Sequence, residues 1–316
     1  MTLPDRERSR KPRRRGLFLP WLLALLLVVG WSGGWFWAKG QAVARMDATV
    51  AQLRSQGYEV AWRRREVSGF PFRLDIVLDG PRIAEPSGWA LAAPTLKGEA
   101  YIYRLDHWVL VAPSGVTLTR PEGGAVTVRA EALRASLAGF DRRPPRISVE
   151  GVGLAFEPAP GARDYPIEAA GKLALHLRPG PQDQGAVLFR VEGAKLRLKG
   201  LPERIVQGKP ASMMWDLKLS KMSAFRGEDW PDAVRSWRDA GGVITVSAAE
   251  VRGGDAVLSG RGGPLTVGLD GRLQGVLEAT LKGAADGTPA FSGDVDLKDG
   301  EATIGPLQLG PSPRLY

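Results

Sequence analysis

His107 and His176 are the only imidazoles in 316 residues, and the chain contains no cysteine. Thiolate nucleophiles, thiolate metal sites, disulfides and a lipidated N-terminal Cys are thereby excluded. His-rich metal sites fall to the same count. Acid–base catalysis needs groups of tuned pKa gathered in a pocket. His107 stands in Asp106-His107-Trp108 and His176 in Leu173-Ala174-Leu175-His176-Leu177. Both strings read as strands, so an ordinary strand position is expected for each. Carboxylates are plentiful, but Asp79, Asp270 and Asp299 each precede a glycine, where Asp makes local turn hydrogen bonds. Gly30-Trp31-Ser32-Gly33-Gly34 fits G-x-S-x-G, yet a nucleophile elbow needs a strand before it and a helix after it. This string lies inside an apolar run. No P-loop, helix-opening G-x-G-x-x-G, H-E-x-x-H pair or EF-hand loop occurs. The sequence therefore predicts no enzyme, no catalytic residue, no metal site and no cofactor. A carboxylate-only hydrolase is the residual enzymatic reading.

The elements around these residues are more informative. The net charge is +9, but seven basic side chains of the first 15 residues face only Asp5 and Glu7. More than half of the excess thus sits in a short tail, residues 1–16, which argues against a nucleic-acid-binding face. Residues 17–38 carry no charge and would span about 33 Å as a helix, against a hydrocarbon core of ~30 Å. They read as a transmembrane signal anchor, marked by Leu17, Trp21, Leu25 and Val29, with Trp31, Trp35 and Trp37 as an interfacial belt. Pro20 is placed in the first turn, where its missing N–H costs little. Ala42-Val43-Ala44 resembles a cleavage site but lies too far beyond the apolar core for one. The basic tail puts the N-terminus in the cytoplasm and the remainder in the periplasm, anchored in the inner membrane. Gly30 and Gly34 also form G-x-x-x-G, which admits an anchor dimer.

Residues 39–57 form an amphipathic linker helix, with Val43, Met46, Val50 and Leu53 at helical spacing and Gly57 as a stop. Beyond Tyr58 the period becomes two, as in Phe72, Leu74, Ile76 and Leu78. Gly 40, Pro 24 and the absence of Asn suit many strands joined by Gly, Pro and Asp turns. Two β-rich parts follow, 58–200 and 201–316. The second contains a helix near 229–240, capped by Asp229 and opened by Pro231. The expected fold is mainly β: an N-terminal transmembrane helix, then a large antiparallel, curved β-sheet, either groove or sandwich, with one or two short capping helices. Alternation reads identically for an open groove and a filled sandwich. The triplet Arg63-Arg64-Arg65 has two readings, anionic headgroup contact or a solvated strand end.

Ser68-Gly69-Phe70-Pro71-Phe72-Arg73 is the most distinctive string, a tight corner with aromatic anchors at Gly69, Phe70, Pro71, Phe72 and Arg73. An anchor followed by this corner, together with the closing string from Leu297 to Tyr316 and the Trp237–Gly242 junction, resembles family 2125 of the domains of unknown function. That resemblance implies a membrane-anchored envelope protein of alphaproteobacteria, and it brings no catalytic residue. The architecture is also similar to AsmA-like envelope proteins, which implies lipid handling. The functional expectation is a periplasmic protein whose apolar trough binds or conducts phospholipid acyl chains in envelope maintenance. The alternative is a lipid-free scaffold or assembly factor that docks other envelope proteins.

Overall fold

The computed structural model describes residues 15–142, 144–198, 201–206, 208–283 and 289–316. Most of the basic tail, residues 1–14, lies outside them. Helix α1 runs unbroken through Arg15–Ser55, so the anchor and the linker helix are one element of 41 residues, about 62 Å long. Its apolar N-terminal part is long enough to cross a membrane. Pro20 lies inside the helix. The proline forfeits one hydrogen bond there.

Twenty strands follow among the described residues. The first six are β1 (Glu59–Ala61), β2 (Arg64–Ser68), β3 (Arg73–Asp79), β4 (Arg82–Ala84), β5 (Ala90–Ala92) and β6 (Thr95–Tyr101). Next come β7 (Arg104–Val111), β8 (Val116–Arg120), β9 (Gly124–Arg129), β10 (Ala132–Ala138), β11 (Arg146–Pro158), β12 (Ile167–Pro179) and β13 (Gly185–Leu196). A short helix, α2 (Leu201–Val206), precedes β14 (Ala211–Leu219), and α3 (Trp230–Asp239) precedes β15 (Ile244–Gly253). The chain ends with β16 (Ala256–Val267), β17 (Leu273–Lys282), β18 (Pro289–Lys298), β19 (Glu301–Ile304) and β20 (Leu307–Pro311).

All twenty strands belong to one antiparallel sheet. It is forked. The first half of β11 pairs with β10, continuing through β7, β6, β3 and β2. Its second half pairs with β9, continuing through β8, β5, β4 and β1. Gly153 stands where β11 changes partner, at φ +60°, and an added Cβ would lie 2.6 Å from the Glu131 side chain. Only glycine adopts that backbone without strain. From β12 to β20 the sheet is a simple meander. The two β-rich parts read from the sequence are thus one continuous layer.

Side chains directly opposite in antiparallel register share a face. Following the register from Ile76 gives one row: Ile76, Gly98, Leu110, Ala135, Val149, Leu175, Phe189, Trp215, Ala249, Gly260, Ala279 and Gly293. It contains no polar side chain. At ~4.8 Å per strand it extends about 53 Å. A second row on this face runs Trp108, Leu137, Ile147, Leu177, Val187, Leu217, Val246, Gly262, Leu277, Val295. A third runs Leu133, Gly151, Leu173, Val191, Met213, Val251, Leu258, Leu281, Phe291. The corresponding row on the opposite face is mixed: Val77, Lys97, Val111, Arg134, Glu150, Ala174, Arg190, Met214, Glu250, Ser259, Thr280 and Ser292. The sheet is apolar on one side and predominantly polar on the other, as the alternation in sequence requires.

Three helices lie against the apolar face, at different places. Ile205 and Val206 of α2 pack with Val251, Leu258 and Leu281 of the third row. Val234 and Trp237 of α3 pack with Leu217, Val246, Leu277 and Val295 of the second row. Most of the middle row is half-buried: Gly98 and Ala279 are buried, Phe189 and Ala249 pack against neighbouring core clusters, and Trp215 is 43% exposed. A sandwich core would be buried throughout, and Trp215 is not. The third helix, α1, crosses the face at the β3–β6–β7 end and forms the candidate site.

Candidate functional site

The corner Gly69–Arg73 is where α1 meets the sheet. Gly69 has φ +101°, and an added Cβ would come within 2.7 Å of the Arg73 carbonyl oxygen. The Arg73 amide donates to the Gly69 carbonyl at 2.9 Å, which closes the turn. Phe70 and Phe72 are thereby held against the helix. The Phe70 ring meets Trp35 edge-on at 5.5 Å and stacks with Phe36 at 6.3 Å, while Phe72 tilts onto Trp31 at 5.8 Å. Such pairs add about 0.5–1.5 kcal/mol each beyond area burial.

Three side chains of α1 at spacings of four donate to backbone carbonyls around this corner. Trp31 Nε1 reaches the Pro71 oxygen at 2.8 Å, Trp35 Nε1 the Arg73 oxygen at 2.8 Å, and Lys39 Nζ the Val67 oxygen at 3.0 Å. Trp35 is only 3% exposed. Trp31 and Trp35, read as part of an interfacial belt, therefore have a second attachment inside the protein. Trp21, Leu25 and Val29 are exposed along the apolar part of α1. Trp37 is exposed as well, and the side chain of Leu17 lies outside the described residues. Gly30 and Gly34 touch nothing within 4 Å where a Cβ would stand. The G-x-S-x-G string they bound is helical throughout and has no elbow geometry.

Beyond this attachment α1 and the sheet enclose a cavity of about 610 Å³. Its floor is Ile76, Leu78, Leu96, Gly98, Leu105, Trp108 and Leu110, its flank Phe140, and its roof the helix from Trp37 to Thr49. Gly98 makes the room: a Cβ there would lie 3.1 Å from Leu110 and 3.6 Å from Trp108. The polar lining comes from one stripe of α1, Gln41, Arg45 and Thr49. The cavity is the end of the apolar rows, since Ile76, Gly98 and Leu110 are the first three residues of the middle row. A smaller apolar cavity, about 180 Å³, follows under Met46 and Val50, between the two arms of the fork.

Reading the sequence missed this cavity. The alternation places Ile76 and Leu78 on the apolar face of a strand, but nothing local brings α1 over them. A four-residue series on α1, Trp37-Gln41-Arg45-Thr49, is the signal that was present.

The basic triplet is internally neutralised. Arg63 pairs with Asp79 at 2.7 Å, Arg64 with Glu66 at 3.3 Å and Arg65 with Asp47 at 2.6 Å. The last pair clasps α1 to β2. The Arg65 hydrogen bond holds the Asp47 carboxyl below the usual aspartate value.

Each histidine meets a serine on the polar face. His107 Nε2 is 2.9 Å from Ser136 Oγ, and His176 Nδ1 is 2.9 Å from Ser148 Oγ. A cavity of about 320 Å³ beside His107 also contains Glu99. The Glu99 carboxylate is held by Arg73 at 3.3 Å. Among the described residues neither imidazole bonds a carboxylate, so no orienting acid completes a triad.

The fold and this site define a class: a β-rich protein whose single sheet carries an open apolar face, tied at one end to a helix long enough to cross a membrane. The chain matches the family described as an uncharacterized protein conserved in bacteria (DUF2125) over residues 35–296, and it belongs to that family. The match begins in α1 at Trp35 and takes in the corner, while the closing string from Leu297 to Tyr316 lies beyond it. No curated protein and no solved structure matches the chain.

Proposed function

We propose that the chain is a single-pass, membrane-anchored, non-enzymatic envelope protein, its sheet on the periplasmic side, that binds or conducts lipid acyl chains along its apolar face. One observation carries the reading. The middle row is apolar for its whole length, starts in the cavity beside the membrane-length helix, and is mostly half-buried, with Trp215 exposed. An open apolar strip of this extent marks a ligand or partner surface. An acyl chain matches it better than a compact ligand because the strip is long and narrow, with the Trp215 indole N–H its one hydrogen-bonding side-chain group. The basic tail before the helix supports the stated orientation.

The test is photo-crosslinking in the full-length protein, purified from membranes. Benzophenone side chains are placed in the middle row at Leu110, Leu175 and Trp215, and on the polar face at Arg134 and Glu250. Phospholipid adducts are expected at the first set and not at the second. Equal yields on both faces, or none at the middle row, would reject lipid binding.

A further inference from the structure

We infer that the α1 cavity selects lipids with an anionic headgroup, and that Arg45 is the residue that reads the charge. The inference rests on the acyl-chain reading and names the class of lipid. Lys39 and Arg54 of α1 and the triplet Arg63–Arg65 are occupied by the protein itself. Lys39 donates to the Val67 carbonyl, Arg54 to the Val60 carbonyl, and Arg63, Arg64 and Arg65 each hold a carboxylate. Arg45 lines the cavity and, among the described residues, has no carboxylate within ion-pair distance. Asp47, the nearest acid in sequence, is about 200° further round the helix and is taken by Arg65.

Arg45 stands about 10 Å beyond Ala38, the end of the uncharged run, and about 15 Å beyond Trp35, where α1 is already fastened to the sheet. A lipid drawn out of its leaflet into the cavity meets the guanidinium with its phosphate while its chains lie against Trp37, Trp108 and Phe140. Guanidinium and phosphate form paired charge-assisted hydrogen bonds, strengthened beside an apolar wall. Gln41 and Thr49, one turn to either side, add neutral hydrogen-bonding groups for the rest of a headgroup.

The experiment uses the full-length protein in nanodiscs of equal parts phosphatidylglycerol and phosphatidylcholine with identical acyl chains. Lipid crosslinked at Leu110 is released and identified by mass spectrometry. Wild type is expected to favour phosphatidylglycerol severalfold, because phosphatidylcholine offers the same phosphate but sets its choline cation against the Arg45 guanidinium. Arg45→Gln is expected to bring that ratio near one with total lipid retained, and Arg45→Lys to keep part of it. Gln is a good helix former and the site is exposed, so the variant folds. Lipid bound without charge preference, or a preference that survives Arg45→Gln, overturns the Arg45 assignment and leaves the acyl-chain reading standing. No lipid at all overturns both. Displacement of the phosphatidylglycerol signal by inorganic phosphate would make free phosphate the ligand and reject the lipid source.

Discussion

The indole nitrogen of Trp35 donates to the carbonyl oxygen of Arg73 at 2.8 Å, across 38 residues of sequence. This bond sits between the equivalent bonds from Trp31 and Lys39, so one stripe of α1 is fastened to the Gly-Phe-Pro-Phe-Arg corner at three successive turns. The helix that would enter the membrane is therefore continuous with the wall of the groove. A rigid joint of this kind fixes where the apolar face begins relative to the bilayer.

Trp35→Phe removes the donor and keeps most of the ring, so a loss of about 1 kcal/mol is expected. Trp35→Ala also empties a buried site and is expected to cost about 3–5 kcal/mol. Urea titration of the full-length protein in detergent gives both values. Limited proteolysis should show new cleavage near residues 68–73 in the alanine variant. Equal stability of Trp35→Ala and wild type would mean that the corner does not hold the helix.

Gly98 offers the complementary test, because it provides space rather than strength. Its backbone is compatible with a side chain, and the obstacle is Leu110 at 3.1 Å. Gly98→Leu is expected to occupy the cavity and cost about 1–3 kcal/mol through overpacking. Lipid adducts at Leu110 should fall severalfold, while those at Trp215, five strands further along the row, persist if lipid also reaches the face elsewhere. Undiminished adducts at Leu110 would place the chain outside this cavity.

Much of this architecture is legible in residue order. Period-two alternation in Phe72-Arg73-Leu74-Asp75-Ile76 gives a strand with one apolar face, and Asp229 with Pro231 gives the start of α3. The corner string stands out because Gly69 and Pro71 bracket an aromatic. What is not legible depends on register between distant strands. Ile76 and Gly293 lie on one row only because eleven pairings are each in a particular register, and a slip of one residue would turn a strand over. The cavity depends on α1 folding back over β3, which no local pattern encodes. The fork at Gly153 is hidden for the same reason: a glycine at φ +60° looks like any other glycine in a sequence.

The clasp between Asp47 and Arg65 makes a pH prediction. Asp47 titrates below its ordinary value of 3.8, chiefly because of the Arg65 hydrogen bond. A folded-state value below the unfolded one adds stability that is complete above the unfolded value and disappears as pH falls through the folded one. The clasp should therefore be intact at any pH above about 4 and open only below the unfolded aspartate value. Carboxyl carbon NMR on selectively labelled Asp47 is expected to show a midpoint below 3.8. Arg65→Gln should raise it toward that value. A midpoint at or above 3.8 in the wild type would show that the ion pair does not form.

At the far end, α3 decides how much of the apolar face is open. Asp229 caps it by accepting from the Asp232 amide at 2.9 Å, and Trp237 anchors it, 1% exposed, donating to the Ser220 carbonyl at 2.6 Å. Asp229→Ala removes the cap alone and should cost about 1 kcal/mol. Trp237→Ala should cost about 3–5 kcal/mol and loosen the helix from Leu217, Val246, Leu277 and Val295. Those four belong to the second apolar row, so the groove should widen as α3 detaches. A benzophenone at Leu277 is then expected to gain lipid adducts in Trp237→Ala and not in Asp229→Ala. If Trp237→Ala unfolds the β14–β20 region outright, hydrogen exchange will report the loss across all these strands. In that case α3 is part of the core rather than a cover, and the open groove ends before β15.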